Sequence, residues 1–336
     1  MSESQRSNKL YELSVMFIIA KAVHIASDLA LYELINEQSQ LVNDLAEKLN
    51  FSPIGLHKLL TLLDAYDLVK YKHGLVCSTP DTPLLQYVNS PHLYLNYKNV
   101  ENLENSLRNN TGVFDITYDN SFYGYLKDHH LVTPFEHWCT ESAKQWLPII
   151  TDMYDFSPYT TIIDIGGGQG YLLSMILDKN KHITGTLLDQ NEVIKNIAAE
   201  FAQHVDSNRA SVMAGDFFDA STLPTGKDLY ITCRTLLNWS DDDSCKMLNN
   251  IYEVMPQKSK LLLIDFYIPE KSHPHYKRAL LSDMALHTLM SGSNRNLQEW
   301  QNLILGTKFK LNKVYTSEGN VKYEPFMPLF IFELSK

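Results

Sequence analysis

The stretch IIDIGGGQGY, residues 162–171, joins an apolar run to glycines at every second position, Gly166, Gly168 and Gly170, behind an acid at Asp164. Such glycines permit a tight strand-to-helix turn and let a ligand come close to the backbone. The spacing is not the dinucleotide fingerprint, because Tyr171 stands where the last glycine is needed. No GK[ST] follows, so it is not a P-loop either. An acid at the strand end suits a cationic or amine-bearing ligand better than a pyrophosphate. Two further acids close the next two β-like runs. Asp189 ends TGTLLD, where a carboxylate can accept both hydroxyls of a ribose. Asp216 follows SVMAG, and Phe217 beside it completes a pairing suited to an adenine ring. Any one of these acids alone would read equally well as a capping residue; three at successive strand ends favour a ligand site.

RTLLNWSDDD, residues 234–243, raises a second question. Three consecutive aspartates hold a metal only if their side chains converge, and neighbouring side chains on a helix diverge by about 100°. The better reading is a helix start, with Ser240 as the cap, Asp241, Asp242 and Asp243 in the first turn, and Leu248, Ile251, Tyr252 and Met255 as the buried stripe. No metal site is expected. Asn238 falls at the end of the preceding strand, where ligands bind such sheets.

The elements that must position these residues can be read from periodicity. From residue 160 onward, apolar β-like runs (TTIIDI, HITGTLLD, ASVMAGD, KDLYITC, KLLLIDFYI) alternate with helical stretches, which predicts a parallel sheet covered on both faces. KLNKVYTS and MPLFIFELS then look like a closing hairpin. Residues 85–160 are rich in aromatic residues that can pack a core or line an apolar site for a flat ligand. The first eighty residues read as mostly helical. LVNDLAEKL places Leu41, Leu45, Ala46 and Leu49 on one face, and Ser52-Pro53 opens a helix carrying Leu56, Leu59, Leu60 and Leu63. DLVKYKHGLVCST alternates about His73-Gly74. That order is the winged-helix order. The run at residues 15–35, VMFIIAKAVHIASDLALYELI, is interrupted by Lys21, His24 and Asp28; it reads as a buried core helix, too polar to span a bilayer.

Composition narrows the function classes. The chain has 336 residues and a formal net charge of -10, from 29 basic and 39 acidic residues. Residues 40–80 carry four lysines (48, 58, 70, 72) against four acids (44, 47, 64, 67), which is no phosphate-binding surface. A dimerising or structural role suits the first domain better than DNA binding. Cys77, Cys139, Cys233 and Cys245 form no CxxC pair, so neither a zinc site nor a disulfide framework is expected, and reduced thiols place the protein in the cytoplasm. The N-terminus lacks the order of regions of a signal peptide. Neither a nucleic-acid nor a membrane partner is expected.

IIDIGGGQG, LLDQNEVI, GDFF, LLNWSDDDSCKML, LLLIDFYIP and SGSNRNLQEW together resemble the S-adenosylmethionine-dependent small-molecule O-methyltransferases that carry an N-terminal winged-helix dimerisation domain. The resemblance spans nearly the whole chain. It implies an α/β fold: a Rossmann-like methyltransferase domain, its parallel sheet ending in an antiparallel strand, plus a mainly α-helical winged-helix domain. The division it implies is residues 1–100 for dimerisation, 101–155 as a helical linker and substrate-pocket region, and 156–336 for the S-adenosyl-L-methionine domain. It implies a homodimer, and cofactor contacts from Asp164, Gly166, Gly168, Asp189, Asp216, Phe217 and Cys233. Many members read His-Asp-Trp where this chain reads Leu237-Asn238-Trp239, and that histidine takes the proton of the acceptor hydroxyl. Two acids that support it in plant members align with Asp265 and Asn294. LLNW resembles instead the anthracycline-tailoring branch, in which one O-methyltransferase works mainly by proximity and relatives decarboxylate, hydroxylate or catalyse pericyclic steps.

With Leu237 unable to carry a proton, the candidates for substrate contact are Asn238, Asp283, His287 and Asn294. The catalytic candidates are His287 as replacement base, Asn238 as hydrogen-bonding group and Arg295 as a cation able to orient a carbonyl or carboxylate. The function expected is O-methylation of a small aromatic or polyketide-like metabolite. The alternatives are a tailoring enzyme that holds the cofactor without consuming it, and a winged-helix regulator with a vestigial ligand site.

Overall fold

The computed structural model describes residues 3–36, 38–323 and 326–336. The chain divides into two compact units, residues 1–98 and 99–336.

The first unit begins with α1 (Glu3–Asp28) and α2 (Leu31–Ile35). Ala30, at φ 49, breaks the long apolar run between them. There follow β1 (Gln40–Leu41), α3 (Val42–Leu49), α4 (Pro53–Asp64), β2 (Lys70–Lys72) and β3 (Leu75–Cys77), the strands forming a small antiparallel sheet in the order β1-β3-β2. Ser52 caps α4 by accepting the Gly55 N–H, with Pro53 in the first turn. Leu45, Ala46, Leu56, Leu60, Leu63 and Val76 share one core, whereas Leu41 falls on β1 and is exposed.

The expectation of one buried helix over residues 15–35 is corrected. Only the end of α1 packs inward, through Ala22 and Ala26, while Leu10, Tyr11, Leu13, Met16, Phe17 and Ile18 are exposed. A 26-residue helix is about 39 Å long and outruns the core that α2, α3, α4 and the hairpin can supply. By length and composition alone, Arg6–Asp28 is also apolar enough to cross a membrane. The unit ends in α5 (Pro91–Asn99).

In the second unit five helices lead to the sheet: α6 (Leu103–Asn109), α7 (Val113–Thr117), α8 (Phe122–Asp128), α9 (Val132–Ala143) and α10 (Leu147–Met153). Then come β4 (Thr161–Ile165), α11 (Tyr171–Lys179), β5 (Thr184–Asp189), α12 (Asn191–Ile194), α13 (Ala199–Asp206), β6 (Ala210–Ala214), β7 (Leu229–Cys233), α14 (Asp241–Val254), β8 (Lys260–Phe266), α15 (Tyr276–His287), α16 (Leu297–Leu305), β9 (Lys310–Thr316) and β10 (Leu329–Ser335). The strand order is β6-β5-β4-β7-β8-β10-β9. The pairings among β6, β5, β4, β7 and β8 are parallel, and β10 runs antiparallel to both its neighbours.

The continuous apolar runs follow from burial on both faces. Ile162, Leu187, Ile231, Leu262 and Ile331 point into one core, and their chain neighbours Ile163, Leu188, Tyr230, Leu263 and Phe332 into the other. The chain turns back between β4 and β7, so a crevice is expected at the carboxyl ends of these two strands. α14 begins as its sequence predicts: the Ser240 hydroxyl accepts the Asp243 N–H at 3.1 Å, and three aspartates fill the first turn.

Candidate active site

At the end of β4 the glycine loop takes the backbone that only glycine adopts readily, with φ 71, 59 and 82 at Gly166, Gly168 and Gly170. Asp164 lies beneath it, 1% exposed, and neither carboxylate oxygen has a hydrogen-bond partner. A Cβ added at Gly167 would come within 2.5 Å of that carboxylate. Burial, then the charge of Asp189, pushes Asp164 up to about 7. An uncompensated buried carboxylate under an open loop is unfavourable by itself and fits a ligand that brings positive charge.

Asp189 sits at the end of β5 and accepts the Gly168 N–H at 2.8 Å through Oδ2 and the Gln190 N–H through Oδ1. Burial raises it above the ordinary range, and the two amides offset part of that. It therefore faces the loop as a fixed acceptor. Asp216, two residues past β6, is exposed and closes its own turn on the Phe218 N–H. Phe217 meets the Trp239 ring edge-to-face at 5.8 Å and forms an aromatic wall with it and Phe218. Cys233 ends β7; burial, then the charges of Asp164 and Asp265, hold its thiol far above its usual range. It is an apolar spacer between two acids, not a nucleophile.

Asn238 lies in the 3-10 turn after β7 and donates from Nδ2 to the Tyr123 hydroxyl at 2.9 Å. Tyr123, on α8, also stacks on Trp239 at 6.0 Å. Burial and then nearby acidic groups keep it protonated, so its O–H remains a donor. Leu237, where a histidine base would stand, is buried at 4% exposure. The loop after α15 packs hard against this turn. A Cβ at Gly292 would meet the Leu237 carbonyl oxygen at 2.0 Å, and one at Gly112 would meet the Met290 carbonyl carbon at 2.4 Å.

Asp283, Asn294 and His287 form a neighbouring polar cluster. Asp283 accepts the Asn294 backbone N–H at 2.6 Å, and Asn294 donates from Nδ2 to Ser282. The buried Nδ1 of His287 and Oδ1 of Asn294 have no partner. His287 lies one turn after Asp283 on α15.

One expectation is corrected. Arg295 is 4% exposed, and its guanidinium is taken up by Asp241, the Trp239 carbonyl and the Ser293 carbonyl, above the face of Trp300. It locks the start of α14 and is not turned to a ligand, because a buried cation is held where it finds most acceptors. Asp265 does not serve a histidine: with Leu237 in that place, it pairs with Arg234 at 2.7 Å.

Arg234 is the clearest residue that sequence reading missed. It has φ 58, an uncommon conformation for a non-glycine residue, at the carboxyl end of β7. The signal was a single basic residue closing the apolar run LYITC. Tyr123 had no such signal among the chain's 19 tyrosines. Among the described residues, no three histidine, cysteine or carboxylate side chains are grouped to hold a metal.

Known proteins resemble this chain over nearly its whole length. A phenazine O-methyltransferase from Lysobacter antibioticus is 25% identical, with 96% of each chain covered. A mitomycin biosynthesis 6-O-methyltransferase from Streptomyces lavendulae is 28% identical over 85% of this chain and 84% of that one. The crystal structure of a mitomycin 7-O-methyltransferase superposes with a TM-score of 0.85 at 24% identity, over 99% of this chain and 98% of that one. A further structure of this fold contains S-adenosylmethionine, and another its demethylated product S-adenosylhomocysteine. Residues 99–310 match the O-methyltransferase domain family, and the protein belongs to these S-adenosylmethionine-dependent O-methyltransferases.

Proposed function

We propose that the enzyme methylates a hydroxyl of a small aromatic or polyketide-like metabolite, mainly by aligning it in a site closed to water. S-adenosylmethionine supplies a methyl group already activated on a sulfonium. The chain's part is to hold both partners. Asp189 accepts from the ribose, Asp164 compensates positive charge under the loop formed by Gly166 and Gly168, and Asp216, Phe217 and Cys233 border the nucleoside. Asn238 and the Tyr123 O–H orient the acceptor oxygen. A phenol has a pKa of about 10 and can lose its proton late, so alignment supplies much of the rate. His287, with an unpartnered Nδ1 beside Asp283 and Asn294, is the group that takes the proton.

The observation that carries this reading is the turn after β7, where a buried leucine replaces the proton acceptor and the next residue is bonded to a tyrosine hydroxyl. The names of the relatives support the acceptor class: they act on a phenazine, on demethylpuromycin and in mitomycin biosynthesis. The same relatives weigh against a non-methylating tailoring enzyme and a regulator. The exposed apolar face of α1 supports a homodimer formed through the winged-helix region within residues 1–100, and we place the enzyme in the cytoplasm.

Mass spectrometry of reactions with phenolic acceptors tests the reading. One methyl gained per S-adenosylhomocysteine formed is expected; a changed product with neither would overturn it. His287→Ala should lower turnover by roughly 100-fold while cofactor affinity holds, and unchanged turnover removes His287 from the mechanism.

A further inference from the structure

The glycine loop faces one more acid, which no motif announced. Glu136, on α9, approaches the loop from the helical side: a Cβ at Gly168 would meet its Oε2 at 3.0 Å. Its carboxylate makes no hydrogen bond or ion pair among the described residues. The ionisable groups acting on it or sharing its surroundings come from four other elements: Asp189 on β5, Asp164 on β4, Tyr123 on α8 and Arg234 after β7, with Cys139 further along α9 itself. Arg234 is the one cation of this set, and its Nη1 is bonded to Asp265. Three carboxylates thus surround a glycine turn, and both oxygens of the deepest, Asp164, lack a partner. That arrangement lacks positive charge.

We propose that Glu136 reads the charge of the cofactor, favouring S-adenosylmethionine over S-adenosylhomocysteine, which lacks the sulfonium charge, so that the spent cofactor is released. The proposal rests on the glycine loop being the cofactor site. Burial, then the charge of Asp189, pushes Glu136 up to about 8, so near neutral pH the empty enzyme holds it protonated. A ligand carrying extra positive charge favours the ionised form, and the proton passes to solvent. S-adenosylhomocysteine gives it less reason to leave.

Calorimetry of the full-length enzyme with each ligand, in two buffers of different ionisation enthalpy, tests this. The unmodified enzyme should release more protons on binding S-adenosylmethionine than on binding S-adenosylhomocysteine; equal release overturns the proposal without any variant. Glu136→Gln should reduce that difference to the part Asp164 supplies and weaken S-adenosylmethionine about tenfold, the worth of one pKa unit, while S-adenosylhomocysteine weakens far less. Ionisation of the ligands themselves cancels between enzyme and variant. Equal loss for both ligands, or an unchanged ratio, overturns the charge-reading role and leaves the cofactor site standing. If the unmodified enzyme binds neither ligand, the site reading itself fails and takes this proposal with it.

Discussion

The glycine loop, where we place the cofactor, draws its deepest contacts from near neighbours, whereas the turn at Asn238, where we place the acceptor, is assembled from strangers. Asp164, Gly166 and Gly168 lie within one turn, and the bond that ties them to Asp189 spans 21 residues. On the acceptor side, Asn238 meets Tyr123 across 115 residues, and the Gly112 N–H meets Ser291 across 179. Contacts made within two consecutive strands and the loop between them depend least on changes elsewhere in the domain. A site made by distant segments depends on the whole domain closing correctly, so its mutations mix stability with chemistry.

The largest expected effect tests the cofactor side. Asp189→Ala removes the carboxylate that we place against the ribose and that also accepts the Gly168 and Gln190 amides, and should weaken S-adenosylmethionine by about 100-fold or more in calorimetry. Unchanged affinity would dissolve the division between the sides. Next in size, Tyr123→Phe removes one neutral hydrogen-bonding group and should cut turnover about tenfold with cofactor affinity intact. If affinity falls and turnover per bound cofactor does not, Tyr123 belongs to the other side.

The third effect concerns pH. Asp164 and Glu136, at about 7 and about 8, lie above their ordinary 3.8 and 4.5, so the folded chain keeps protons that the unfolded chain releases. Their contribution to stability is whole below about pH 4 and is lost as pH rises through those folded values, being gone above 8. The melting temperature of the empty enzyme should therefore fall by about 5 °C between pH 5 and pH 8.5, and saturating cofactor should reduce that slope. An equal slope with and without cofactor would detach these acids from the cofactor side.

The same contrast explains what could be read beforehand. The alternation of strands and helices, the closing hairpin and the Ser240 cap depend on local periodicity and were legible. So were the positions of Asp164, next to last on its strand, and Asp189, last on its own. Arg295 was misread because a lone arginine looks alike whether it faces a ligand or a helix cap; only the positions of Asp241 and the Trp239 carbonyl decide. Tyr123 and Glu136 were invisible because their partners come from elsewhere in the chain. The N-terminal half of α1 was read as core because its pattern is apolar, and periodicity does not report how far a core extends.

Gly292 gives the acceptor side a limit of another kind. Any larger residue there collides with the Leu237 and Asn238 backbone. A directed-evolution library seeking new acceptors should leave positions 112 and 292 as glycine. It should vary side chains on α8 and α15 instead, for this wall can be repainted but not moved.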